Sequence, residues 1–193
     1  LNFPPIYTLR LTMGLVEKQL QEFGLLNQAT LRVITTDDVM QFGKMKVSFF
    51  RVTHSIPDSI GVFIETPAGN VVHTGDFKID LSPAGGQQPP DFLKIAGYSQ
   101  KNVVAMFSDS TNALKPGFTV SEKKIGETLD LVIKNTSGRI VIACFSSQIG
   151  RIQQVINSCI KYNRKIFFSG RSLIDNILMA SKLGYLKFPQ GLI

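Results

Sequence analysis

Histidine is scarce in this chain, with 2 in 193 residues. Chemistry that needs a cluster of imidazoles cannot be assembled from these residues alone. Cysteine is equally rare: Cys144 and Cys159 are too few for a disulfide framework. One falls in an apolar strand pattern and the other in an apolar helix pattern, so both read as structural thiols of a reducing compartment. No uninterrupted apolar run approaches the roughly 18–20 residues of a membrane span, and no basic-then-apolar signal segment opens the chain. A soluble, cytoplasmic protein is the expectation. Glycine-rich phosphate loops of the Gly-x-Gly-x-x-Gly or P-loop kind are missing, which removes the usual support for a nucleotide-binding α/β domain. Repeats and low-complexity tracts are missing as well. The chain starts at Leu1 rather than Met, so a processed chain or a piece of a longer one is expected.

The 44% of hydrophobic residues excludes a disordered tail, and the length suits one domain or two small ones. Lys plus Arg number 21 against 14 Asp plus Glu, a net charge of +7. The excess is unevenly placed. Residues 1–115 carry 10 basic and 10 acidic side chains, whereas residues 116–193 carry 11 and 4, so the whole surplus lies in the second portion. A uniformly lysine-rich composition would not sort itself this way, and a phosphate-binding surface there is the expectation.

In the first portion Thr8 is placed to cap a helix with Leu9, Met13, Val16, Leu20 and Phe23 on one stripe, ended by Gly24. Strands are expected over 31–35, 46–53, 61–66 and 70–74, the last two joined by a hairpin turn at Pro67-Ala68-Gly69. Residues 82–91, rich in Pro, Gly and Gln, read as a loop. From Val103 the rhythm changes. A short apolar strand over 103–107 runs into Ser108-Asp109-Ser110-Thr111-Asn112. Thr119 and Glu122 have capping-box spacing before a helix with Ile125, Leu129, Val132 and Ile133 inward. Strands over 139–145 and 164–168 then alternate with helices from about Ser147, carrying Ile149, Ile152, Val155, Ile156 and Ile160 inward, and over 172–183. That alternation implies a parallel sheet covered on both faces. A boundary is expected near Lys115-Pro116-Gly117.

Two polar runs stand out, Thr53-His54-Ser55-Ile56-Pro57-Asp58-Ser59 and His73-Thr74-Gly75-Asp76-Phe77-Lys78. Both follow strands, where a sheet usually presents functional side chains. A neutral imidazole and a carboxylate suit zinc, and a carboxylate can bridge two ions. On composition alone a lone histidine at a strand end is more often a hydrogen-bonded structural residue than a metal ligand.

The run THSIPDSIGVFIETPAGNVVHTGDFK over 53–78 resembles the ribonuclease J family, in the beta-CASP branch of the metallo-beta-lactamase superfamily. So do SDSTNALKPGFTVSE over 108–122 and RIQQVINSCIKYNRKIFFSGRS over 151–172. The resemblance implies an α/β chain: a partial metallo-beta-lactamase αββα sandwich over residues 1–115, then the parallel α/β start of a beta-CASP domain over 116–193. It implies a zinc-dependent exo- and endoribonuclease of RNA processing and decay, with two zinc ions. His54 is similar to a single-histidine metal ligand, and Asp76 to the carboxylate that bridges both ions. Asp109 is similar to the acidic residue of the first beta-CASP motif. His73 is expected to pack or to support a ligand rather than to be one.

A departure weighs as much as the matches. The family's His-x-His-x-Asp-His element and its later histidine motifs are not in this sequence, and His54 with a shared Asp76 does not satisfy a dinuclear site. The chain is therefore expected to be the middle of the enzyme and inactive by itself. In the second portion Ser147 matches a family serine that contacts the RNA backbone, at a strand-to-helix junction where free N–H groups favour phosphate. Arg151 and Arg171 are further RNA candidates, while Ser146, Gln148 and Gly150 depart from the family pattern. RNA is the implied partner, with a homo-oligomer or an RNA-decay complex for the parent protein and no membrane. The competing reading is a non-catalytic fragment or paralogue that binds RNA or a partner. A metallo-beta-lactamase hydrolase acting on a small ester or thioester is a third, disfavoured by the long second portion.

Overall fold

The computed structural model describes residues 3–189 and 191. The chain forms two compact units. The first comprises Leu1–His54, Asp58–Ile79 and Pro89–Thr119; the second comprises Ser55–Pro57, Asp80–Gln88 and Val120–Ile193.

The first unit is built on a five-stranded sheet. Its strands are β3 (Val39–Phe42), β4 (Met45–Arg51), β5 (Ile60–Thr66), β6 (Gly69–His73) and β7 (Val103–Phe107), ordered as numbered. Neighbours are antiparallel except β6 and β7, which are parallel. The expected hairpin at Pro67–Gly69 joins β5 to β6, with Thr66 paired to Gly69.

The 46–53 run has imperfect alternation because this sheet is covered on both faces. On one face Phe49 joins Leu9 and Ile34 in a buried cluster, with Tyr7, Val47, Ile60 and Val62 packed around it. Tyr7 lies in β1 (Ile6–Thr8) and Leu9 just after it; β1 pairs in parallel with β2 (Leu31–Val33). On the other face Phe50 and Phe63 meet Tyr98 of helix α2 (Phe92–Ser99). Tyr98 stacks on Phe63 at 4.1 Å between ring centres, and its hydroxyl lies 3.1 Å from Ser48 Oγ. Asp91 caps α2 by accepting the Lys94 N–H at 3.0 Å. Pattern alone reveals neither β3 nor α2.

Thr8 is the last residue of β1, not the cap of the first helix. Helix α1 (Arg10–Glu22) starts after Leu9 with no side-chain cap, buries Leu11 and Met13, and leaves Phe23 72% exposed. A chain entering from a paired strand already has its backbone direction set, so the cap serine or threonine is dispensable.

The second unit holds helices α3 (Glu122–Asn135), α4 (Ile149–Lys161) and α5 (Arg171–Lys182). Ser121 caps α3 through the Lys124 N–H, displacing the expected Thr119. The Glu122 N–H goes instead to buried Asp80, whose carboxylate also accepts from Ser82 N–H. A carboxylate at a helix N-terminus is favoured by the helix dipole. Of the expected inward residues of α3 only Ile133 is buried; Val132 is 46% exposed. On α4, Ile149, Ile152 and Ile156 are buried as the period demands, whereas Ile160 is 45% exposed.

The parallel sheet expected in this portion is not formed. Residues 139–145 and 164–168 carry no regular secondary structure and belong to no strand ladder among the described residues. Among the described residues parallel pairing occurs only at β1–β2 and β6–β7, both in the first unit. A strand exists only if a neighbouring edge takes up its N–H and C=O groups, and no pattern within a segment supplies that edge. Cys144 and Cys159 are both free thiols, and burial pushes the pKa of each above the usual thiol value. No helix among the described residues is long and apolar enough to cross a membrane.

Helices α3 and α4 are joined by a polar network. Asp130 accepts from Ser158 at 2.8 Å, from Lys161 at 2.7 Å and from Tyr162 at 2.8 Å. These three donors, Lys161 first, lower its pKa to about 2, against an ordinary 3.8. A depressed carboxylate pKa stabilises the fold above its unfolded value and loses that contribution as pH falls through the folded one. Stability should therefore decline between about pH 4 and pH 2. Thermal melts of an Asp130→Asn variant should show a lower melting point at neutral pH and a flatter decline in that window; an unchanged slope would contradict this assignment.

Candidate active site

Strand direction assembles this site. β4 and β6 each run antiparallel to β5, so they are parallel to one another, and β7 is parallel to β6. The C-terminal ends of β4, β6 and β7 therefore lie at one end of the sheet. His54 follows β4, Asp76 follows β6 and Asp109 follows β7. Three residues distant in sequence are delivered to one group of loops by topology alone.

Local bonds then fix those loops. Thr53, 1% exposed, forms an antiparallel bridge with Lys78, the Lys78 N–H reaching Thr53 O at 2.8 Å. The Thr53 hydroxyl also donates to Lys78 O. This double tie holds the residue before His54 against the residue two beyond Asp76. Between them, Gly75 has φ +61°, and a Cβ there would lie 2.6 Å from the Ile60 carbonyl oxygen. Only glycine fits that turn without strain.

Thr74 connects the second loop to the third: its N–H donates to Phe107 O at 3.0 Å, and its Oγ1 accepts the Asp109 N–H at 3.1 Å. Asp109 in turn accepts the Phe77 N–H at 3.4 Å, and both the N–H and hydroxyl of Thr111 at 2.9 and 2.6 Å. The Thr111 hydroxyl is the main reason its pKa lies below the usual carboxylate value, with the Thr111 N–H next and the charge of His54 a smaller influence. Asp109 is thus an ionised acceptor at neutral pH.

His73 is engaged elsewhere. Its Nδ1 accepts the Gly75 N–H at 3.0 Å, and its ring lies against Phe107 with centroids 6.2 Å apart. This fixes Nδ1 as the unprotonated nitrogen and makes His73 a brace for the Asp76 turn. His54 is half-buried and Asp76 is exposed. No group of three or more His, Cys, Asp or Glu among the described residues could hold a metal ion. The donors present do not by themselves complete a metal centre. Sequence reasoning missed Thr53, Thr74 and Thr111; only the Asp-x-Thr spacing at 109–111, which suits a local side-chain turn, carried a signal for any of them.

The three nucleic-acid candidates lie in the second unit. Ser147 stands one residue before the N-cap of α4, Gln148, and Arg171 opens α5 after Gly170. Asn176, buried on α5, donates to the Ser146 carbonyl and hydroxyl at 3.2 and 3.1 Å, which fixes the turn before α4. Arg151 is held by Glu122, with Nη2 at 2.9 and 3.1 Å from the two carboxylate oxygens, and by Gln148 at 3.0 Å. Its guanidinium therefore braces α4 against α3 in this structure.

Residues 137–193 match the family model of the ribonuclease J beta-CASP domain. Over 97% of its length the chain is 45% identical to "Ribonuclease J" of Thermus thermophilus, of which it covers 33%. It is 41% identical over 97% of its length to "Ribonuclease J 1" of Streptococcus pyogenes serotype M3, again covering 33%. With "Ribonuclease J2" of Bacillus subtilis strain 168 it shares 42% identity over 95% of its length and 33% of that protein. The chain thus spans about a third of the length of these relatives. A crystal structure of a protein of unknown function from Enterococcus faecalis V583 matches 95% of the chain and 44% of its own, with a TM-score of 0.69 at 16% identity. That likeness speaks to the fold.

Proposed function

From a chain that is related to ribonuclease J over nearly its whole length, we propose that it forms part of a zinc-dependent ribonuclease that hydrolyses RNA phosphodiester bonds in RNA processing and decay. Residues 1–115 serve as a partial metallo-beta-lactamase domain and residues 116–193 as a partial beta-CASP domain. The observation that carries the reading is the delivery of His54, Asp76 and Asp109 to one end of the sheet by β4, β6 and β7. In this reading His54 and Asp76 are metal ligands, Asp109 is the acidic residue beside them, and the remaining ligands come from polypeptide outside residues 1–193. Ser147, Arg151 and Arg171 face the RNA, and the surplus of 11 basic over 4 acidic residues in 116–193 supplies the general attraction to phosphate. That surplus also supports the second reading, a portion that binds RNA without cleaving it.

Zinc separates the two. After dialysis the chain alone should retain well under one zinc per molecule. Joined to the rest of the Thermus relative it should hold zinc and cleave RNA. Asp76→Asn should then lower cleavage by more than about 100-fold, since even residues that only support a metal ligand cost 10–100-fold. Stoichiometric zinc in the chain alone, lost on His54→Ala, would show that the site is complete without further ligands. RNA binding with no cleavage by the joined protein would favour the second reading.

A further inference from the structure

The turn that carries Asp76 is held at the residues on either side of it. Gly75 comes just before, and both of its backbone groups are taken. Its N–H donates to His73 Nδ1 at 3.0 Å, and its C=O accepts the Thr74 hydroxyl at 2.8 Å. Phe77 comes just after, and its N–H donates to the Asp109 carboxylate at 3.4 Å.

The circle closes through Thr74. A hydroxyl has one proton to give and lone pairs with which to receive. The Thr74 proton goes to Gly75 O, and the same oxygen receives the Asp109 N–H at 3.1 Å. Asp109 is therefore joined to the Asp76 turn twice, by its backbone through Thr74 and by its carboxylate through Phe77. His73 stands at the open end of this chain of bonds. No hydrogen bond or ion pair among the described residues joins it to Asp76 or Asp109. Its ring lies against that of Phe107, with planes 23° apart, on the strand that leads to Asp109.

We propose that these bonds form a relay, with His73 and Thr74 as positioning residues. The imidazole fixes the Gly75 peptide, the Thr74 hydroxyl carries that constraint to Asp109, and the two together aim Asp76. What His73 contributes is a bare Nδ1, an acceptor for the N–H two residues on, which is the bond an Asn side chain makes at a turn. The relay belongs to the first unit alone, and its consequence for cleavage rests on the ribonuclease reading.

Amide exchange read by NMR on the 193-residue chain tests the relay without any cleavage. His73→Phe keeps a ring against Phe107 and removes the acceptor. It should speed exchange at Gly75 by about 10-fold, the worth of one net hydrogen bond. It should also speed exchange at Asp109 by about 3-fold or more, although the two residues share no bond. His73→Asn restores an acceptor and should leave both amides near the wild-type rate. Thr74→Val already releases the Asp109 amide, so adding His73→Phe to it should change that amide no further. Should His73→Phe unsettle the sheet, seen as lost protection in β4 and β5, a second pair reads the relay from its other end. Thr74→Val should then release both amides and Thr74→Ser neither. In the chain joined to the rest of the Thermus relative, His73→Phe should lower kcat by about 10–100-fold with KM little changed, and His73→Asn should restore most of it.

An Asp109 amide that stays slow in His73→Phe would overturn the relay, since the two loops would then be held independently. Equal exchange in His73→Asn and His73→Phe would overturn the acceptor role in favour of ring packing. Released amides with an unchanged kcat would overturn the link to catalysis. A joined wild type that cleaves no RNA counts against the ribonuclease reading, and exchange still decides the relay.

Discussion

Replacing Phe63 by alanine is expected to destabilise the first unit by about 3–5 kcal/mol, the largest loss for any single truncation in its core. Phe63 is fully buried, stacks on Tyr98 with planes 9° apart, and has the Lys101 ammonium 5.2 Å from its ring centre. It sits opposite Ser48 in the middle of the sheet, so the void left by its ring would be enclosed by β4, β5 and α2, and the two strands cannot close on it without breaking their ladder. The fold-level reserve of a small domain is about 5–15 kcal/mol, so this change should bring the unit near its threshold. Urea unfolding should show a lower midpoint at unchanged slope. The companion substitution Phe63→Leu, which keeps most of the volume, should retain over half of the lost stability. Equal losses in the two variants would mean that Tyr98 stacking and not volume dominates.

Gly75→Ala should be the most damaging substitution that leaves every candidate chemical group in place. Two effects add there. A non-glycine residue held at φ +61° costs of order 1–3 kcal/mol. The new Cβ, 2.6 Å from the Ile60 carbonyl oxygen, must also displace either the turn or the β5 backbone, a further cost of about 1–3 kcal/mol. Displacing the turn moves Asp76, breaks the Gly75 N–H to His73 Nδ1 bond, and loosens the Thr74 hydroxyl that holds Asp109. Gly24→Ala is the control. Gly24 has φ +68° but nothing within 4 Å of a Cβ, so it carries the conformational effect alone. The two variants should differ in denaturant stability by roughly the cost of the contact, and only Gly75→Ala should lower zinc retention and cleavage in the joined protein. Equal stability losses would mean that the Ile60 contact relaxes freely.

Much of this was legible in the sequence, for reasons that differ by element. The β5–β6 hairpin was readable because Pro67-Ala68-Gly69 restricts the turn locally. Strand β7, the core of α4 and the span of α5 were readable from short apolar runs and from the period that one buried face imposes. Helix α2 was not, since its eight residues are too few to show a period beside a loop rich in Pro and Gly. Strand β3 has only half-buried Met40 among exposed neighbours, so it shows no inward face. The cap of α3 was misplaced because the cue at Thr119 competes with Ser121, and the choice was made by Asp80, some forty residues earlier in the chain.

Residue identity and local period were enough for the chemical inventory: two histidines, the placing of His54, Asp76 and Asp109 just after apolar segments, and a net positive charge that lies wholly in the second portion. None of these needs a partner elsewhere in the chain. The common direction of β4, β6 and β7, which brings those three residues to one place, came only with the folded sheet. So did the tie of Thr53 to Lys78, the seat of Arg151 on Glu122, and the lack of a strand ladder at 139–145 and 164–168 among the described residues. Each of these depends on groups far apart in the chain. Which edges and charges meet is set by what the fold brings within reach, a quantity that no window of sequence contains.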